Sequence, residues 1–152
     1  MPKIKVGAVS YLNTRPLVFG IEQGLGADRL ELTYDVPSVL ASRMAAGEFD
    51  LALLPTIELA RIPGLVIVPG LAIGSLGNCR SVLLVAKKPL AEVRRVALDP
   101  ESRTSNALAQ VLFAEAWGIK PACVVGPRDL TLALQQHDAA VRIGDKALFE
   151  PL

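Results

Sequence analysis

Strand-length apolar segments alternate with helix-length segments along this chain, and the alternation starts twice. Residues 3–9 (KIKVGAV) read as a strand. Residues 14–23 read as a helix opened by Asn13 or Thr14, with Pro16 in its first turn, where a missing N–H costs nothing. Residues 30–36 alternate at period two. Residues 38–46 read as a helix capped by Ser38 and stopped by Gly47. Residues 49–54 are a short buried strand ended by Pro55, and residues 66–68 and 81–86 are two further strands flanking the glycine-rich loop 70–77. A punctuated stretch, KKPLAE at 87–92, precedes the restart. Strands at 95–98, 122–125 and 139–143 then alternate with helices at 104–117 and 129–136, the first of them ended by Gly118. This order predicts an α/β protein of two lobes with parallel sheets, 1–90 and 91–152, the strands through 81–86 sharing the first sheet.

Composition narrows the class. Of 152 residues 51% are hydrophobic and 20% charged, ample for a real core and unlike a disordered chain. A net charge of +1 supplies no general field for nucleic acid or an anionic membrane, and 5% aromatics argues against a stacking platform for single strands. The apolar runs are too short to span a bilayer. No signal peptide is read at the start, so the expectation is a cytoplasmic protein. Cys79 and Cys123 are too few for a disulfide framework or a cysteine-rich zinc site, and they read as inert thiols with no histidine to activate them. The only histidine, His137, reads as a solvated helix-end residue.

Polar residues gather where strands hand over to helices. The first group, with Ser10, Tyr11, Asn13 and Arg15, follows the first strand; Thr56 follows the third. Ser102, Arg103, Thr104 and Ser105 follow the first strand of the second lobe, and Asp145 follows the last. Ligands of open α/β sheets bind beyond the carboxyl ends of the strands, and helix N-termini attract anions. Arg15 and Arg103 add charge-assisted contacts. The competing role for these hydroxyls is helix capping, and for Tyr11 a half-buried core position. The residues alone reach a two-lobed binder of a small anion.

The segments VGAVSYLNTRPL, GEFDLALLPTIEL, CRSVLLVAKKPL, ALDPESRTSNALAQVL and RIGDKAL resemble, in family order, the chorismate dehydratases of the futalosine route to menaquinone. The resemblance implies a type II periplasmic-binding-protein-like fold, two parallel or mixed-sheet lobes around a cleft. It implies elimination of water from chorismate to give 3-[(1-carboxyvinyl)oxy]benzoate, with no metal or organic cofactor. Asn13 and Ser81 match family residues implicated near the reacting ring, and a carboxyl group of the substrate is a candidate base. Two alternatives stand beside it: a non-catalytic binder of an anionic metabolite, and the sister naphthoate-forming enzyme of the same pathway.

Family members are longer. The expectation is therefore a C-terminally truncated chain with an incomplete second lobe of three strands, lacking the return to the first lobe. An exposed sheet edge and an uncovered apolar face would then favour self-association. The partners expected are a small carboxylate substrate and a second copy, with neither nucleic acid nor membrane.

Overall fold

A computed structural model describes residues 1–149. The chain divides into two compact units, Met1–Gly74 and Ser75–Leu152, each with its own sheet.

In the first unit, β1 (Ile4–Val9) lies between β2 (Leu30–Asp35) and β3 (Leu51–Ala52), all parallel. Its central place follows from its apolar run: Val6, Ala8 and Val9 are buried, as a strand covered on both faces requires. Helix α1 (Arg15–Glu22) connects β1 to β2, and α2 (Pro37–Ala45) connects β2 to β3. Leu40 and Ala41 of α2 are fully buried, and Leu40 packs with Val9 and Phe49. Gly7 permits this approach, because a Cβ there would lie 3.0 Å from Leu40 Cδ2 and 3.2 Å from Phe49 Cε2.

In the second unit the strand order is β4–β7–β5–β6, with β4 Val82–Ala86, β5 Arg95–Leu98, β6 Ala122–Val125 and β7 Ala139–Ile143. Side chains alternate across this sheet. Val96, Ala139 and Val141 pack with Val93, Ala109 and Phe113 on the side of α3 (Thr104–Val111), whereas Ala97 and Ala140 meet Leu130 and Ala133 of α4 (Leu130–Gln136) on the other. A short helix, α5 (Asp145–Phe149), follows β7.

Several expectations are corrected. The strand at 81–86 belongs to the second sheet, antiparallel to β7 from Val82 opposite Ile143 to Ala86 opposite Ala139. The reason lies in β7: Ala139, Ala140 and Val141 are each at most 4% exposed, and a strand that buried needs a neighbour on both sides. The second sheet therefore has four strands rather than three, and the units divide at Gly74–Ser75, ahead of the 87–92 break. No strand forms at 66–68; Val66 is 88% exposed and has no ladder partner. The strand expected over 49–54 shortens to Leu51–Ala52. Helix α2 begins at Pro37 after Val36, so Ser38 lies inside its first turn and is not the cap. His137 is buried, its Nδ1 2.9 Å from the Ala133 carbonyl, because β7 starts two residues later and folds the helix end onto the sheet.

Candidate functional site

Because β1 and β3 run parallel, the turns that follow them open on one edge of the first sheet. Ser10 prolongs the ladder, its N–H donating to the Asp35 carbonyl at 3.1 Å. Residues Leu12–Thr14 then make a single helical turn, closed by the Thr14 N–H on the Tyr11 carbonyl at 3.0 Å. This turn leaves Asn13 exposed and buries Thr14 completely. The Thr14 Oγ1 is buried with no hydrogen-bond partner among the described residues, although Thr14 stands at the N-cap position of α1. Tyr11 is 37% exposed. Thr56 is exposed and opens the helical turn Thr56–Ala60 beyond β3.

Arg15 is engaged within its own unit. Its Nη1 lies 3.1 and 3.3 Å from the two carboxylate oxygens of Glu22, which also accepts the Tyr34 hydroxyl at 2.5 Å. That hydrogen bond raises the Tyr34 pKa from its ordinary value. Glu58 was not foreseen. It is 1% exposed, with Arg61 Nη1 3.5 Å from its Oε1, and an acidic residue inside PTIEL carries no sequence signal for burial.

The second sheet gathers its candidates in the same way. β5 and β7 are parallel and β4 is antiparallel to β7, so the start of β4 shares an edge with the ends of β5 and β7. Ser81, Ser102, Arg103, Thr104, Ser105 and Asp145 all lie along that edge. The Gly144 N–H donates to the Ser81 carbonyl at 2.8 Å. Asp145 is exposed at the first position of α5. Arg103 and Thr104 are half-buried at the start of α3. Ser102 is 9% exposed, and its Oγ accepts the Ser105 N–H at 3.2 Å, so this hydroxyl serves a first-turn N–H of α3 from the residue before the N-cap position, which Arg103 holds.

Ser81 Oγ lies 3.2 Å from Cys79 Sγ. Hydrogen bonding from Ser81 lowers the Cys79 pKa, and this thiol is exposed. Cys79 therefore has a hydrogen-bonding neighbour in Ser81, a contact that favours its thiolate without supplying a base. Cys123 is half-buried, and burial raises its pKa.

Two residues were under-read in the sequence. Asp99 and Asn106 bracket the Ser102–Ser105 turn and bond each other twice: Asp99 N–H to Asn106 Oδ1 at 3.0 Å, and Asn106 Nδ2 to the Asp99 carbonyl at 2.7 Å. Asp and Asn seven residues apart across a strand–helix turn are a usable signal, since both side chains bridge backbone groups readily. Among the described residues no group of three or more His, Cys, Asp or Glu side chains is placed to hold a metal ion. No described helix is long and apolar enough to cross a membrane.

A family model described as menaquinone biosynthesis matches residues 4–152. The chain belongs to this family. It is 32% identical to the chorismate dehydratase of Thermus thermophilus over 144 residues, covering 94% of this chain and 51% of that protein. The chain thus spans about half the length of this curated relative. The crystal structure of protein AF1704 from Archaeoglobus fulgidus has a similar fold, with a TM-score of 0.64 at 15% identity, covering 96% of this chain and 55% of that one. This family member presents its candidate residues on the carboxyl edge of a parallel sheet in one unit and of a mixed sheet in the other.

Proposed function

We propose that this chain takes part in menaquinone biosynthesis as a chorismate dehydratase, a hydro-lyase that removes water from chorismate to give 3-[(1-carboxyvinyl)oxy]benzoate on the futalosine route. The observation that carries the reading is its 32% identity to a chorismate dehydratase over 94% of its length. The periplasmic-binding-protein-like organisation in two lobes and a cytoplasmic location are part of the same reading.

The chemistry suits the residues at the two edges. The ring proton beside the enolpyruvyl ether is allylic and vinylogous to the ring carboxylate, so its loss places negative charge on that carboxylate. The ring C–O bond then breaks, hydroxide leaves, and the ring becomes aromatic. Such a reaction gains most from fixed donors aimed at developing charge and from positioning. Asn13 offers an exposed amide, and Ser81 a hydroxyl 3.2 Å from a thiol. We assign Asn13 to charge stabilisation and Ser81 to orienting the ring hydroxyl or assisting its departure. Ser10, Tyr11, Arg15, Thr56, Ser102, Arg103, Thr104, Ser105 and Asp145 are assigned to substrate binding. Arg15 meets Glu22 through Nη1 alone, and its 65% exposed guanidinium can contact substrate from within that ion pair. The substrate's own carboxyl group serves as base. Self-association is supported by the outer strand β6, whose Val124 and Val125 are 51% and 69% exposed.

The test is a dehydration assay following the aromatic chromophore formed from chorismate. Asn13→Ala and Ser81→Ala should each lower kcat far more than they raise KM, by about 10²-fold for loss of one fixed donor at developing charge. A chain that neither binds nor converts chorismate overturns the reading. Unchanged turnover in both variants removes the two residues from the mechanism.

A further inference from the structure

We propose that Asp99 and Asn106 are positioning residues, a clamp that fixes the Ser102–Ser105 turn and the Gly144–Asp145 turn in their substrate-binding geometry without either residue touching substrate. The inference rests on the reading above for its substrate and on the structure alone for the clamp.

Asp99 is 7% exposed and its polar atoms are all engaged. Its N–H and carbonyl meet the Asn106 amide at 3.0 and 2.7 Å. Its carbonyl also accepts the Ser102 N–H at 3.3 Å. Oδ1 accepts the Glu101 N–H at 2.8 Å and Oδ2 accepts the Ile143 N–H at 3.3 Å. One carboxylate thus ties the end of β5 to the end of β7. Asn106 donates its second amide hydrogen to the Ser102 carbonyl, so one side chain holds both ends of the turn.

The contacts close into a ring that includes the turn after β6. Glu101 pairs with Arg128 at 2.9 Å, the Arg128 carbonyl accepts from the buried Arg142, and Arg142 adjoins Ile143, whose N–H returns to Asp99. The buried links hold the ring together, because opening those of Asp99 or Arg142 leaves a desolvated polar group without its partner, whereas the Glu101–Arg128 pair, with Arg128 66% exposed, adds little. Hydroxyls mounted on it keep the fixed aim that binding and catalysis require. The side-chain polar atoms of Asp99 and Asn106 are each already bonded within the ring, which separates their role from that of the serines they hold.

Asn106→Ala removes three of these bonds and leaves the backbone free to stay helical. Gln110→Ala is the control: Gln110 Nε2 bonds the Asn106 carbonyl at 3.0 Å on the same helix but outside the ring. Two readouts are taken on the whole chain, amide hydrogen exchange at Asp99, Glu101, Ser105 and Ile143, and chorismate titration with turnover. In Asn106→Ala we expect exchange at these amides to accelerate by about tenfold or more while β6 amides hold, and kcat/KM for chorismate to fall by about tenfold or more. Gln110→Ala should change neither. Asn106→Asp should regain part of the lost affinity as pH falls from 7 to 5, since only a protonated carboxyl can donate to Asp99 or Ser102, a response that general loosening of α3 would not produce. Unaltered exchange in Asn106→Ala overturns the clamp, whether or not chorismate binds. Accelerated exchange with unaltered affinity and turnover overturns the positioning role. Wild-type chain that fails to bind chorismate overturns the functional reading, and the exchange result then decides the clamp by itself.

Discussion

The Gly144 N–H donates to the Ser81 carbonyl at 2.8 Å, which fixes the first residue before β4 against the first residue after β7. Ser81 is held by its backbone, so its hydroxyl is free to serve a neighbour, and that neighbour is the Cys79 thiol at 3.2 Å.

The Ser81 hydroxyl has a readout that needs no substrate. Ser81 is the leading cause of the lowered Cys79 pKa. Alkylation follows the thiolate, so its rate against pH reports that pKa. Ser81→Ala should shift the alkylation profile of Cys79 to higher pH, with Cys123→Ser as background to isolate one thiol. An unmoved profile would mean that Ser81 does not hold the thiol in solution.

The fold was legible in sequence wherever period and punctuation agreed. Residues 95–98, 122–125 and 139–143 become strands at those bounds, and Gly118 ends its helix at φ 64°. Asp129 caps α4 through Oδ1 and the Leu132 N–H at 2.7 Å. Strand partnership was not legible. The run SVLLVA is apolar enough to join either sheet, and only the need to cover both sides of β7 decides it. The apolar triplet Val66–Ile67–Val68 has strand composition but pairs with no strand, and tertiary context overrides propensity there. At the candidate site, strand-end position located each turn. It could not show that Arg15 would spend its charge on Glu22, because that pairing depends on a helix face and on Tyr34 arriving from β2.

Acid stability should depend on Asp138. Its Oδ2 accepts the Arg94 and Arg95 N–H groups at 2.8 and 2.9 Å, and its Oδ1 meets Lys88 Nζ at 2.9 Å. These contacts, the Lys88 hydrogen bond foremost, hold its pKa well below the usual carboxylate range. A depressed folded pKa means that the stabilisation is fully present above the unfolded value of about 3.9 and is lost as pH falls toward the folded one. Wild type should lose thermal stability steadily below about pH 4. Asp138→Asn should melt lower at pH 7 and show a flatter acid limb, read from melting temperatures between pH 7 and 2. Parallel limbs in the two proteins would remove Asp138 as the cause.

Gly126 is required by a contact and not by its backbone angle. A Cβ there would lie 2.5 Å from Ala97 Cβ and 3.3 Å from Ala97 Cα. Ala97 is 2% exposed in β5 and has no rotamer by which to retreat. Gly126→Ala should cost about 1–3 kcal/mol, the usual range for overpacking. Ala97→Gly in the same chain should return part of that loss, since the two sites share one clash. Urea unfolding of both variants measures the coupling, and simple additivity would refute the contact.

The largest single loss should come from Phe113. It is 1% exposed at the centre of the cluster formed by Val93, Val96, Ala109, Ala139 and Val141. Its ring meets Trp117 edge to face, with centroids 4.9 Å apart and planes at 68°. Phe113→Ala removes a buried ring where α3 and two strands converge, and the short strand side chains cannot close the gap. The expected cost is about 3–5 kcal/mol, against a whole-domain stability of roughly 5–15 kcal/mol. Phe113→Leu keeps most of the volume and should cost clearly less. Trp117 is the only tryptophan, so its fluorescence reports this cluster directly in a urea titration. Loss of cooperativity in Phe113→Ala, with Phe113→Leu still unfolding in one transition, would place the organising contact of the second unit at this ring. Equal midpoints for wild type and Phe113→Ala would show that the cluster does not depend on it.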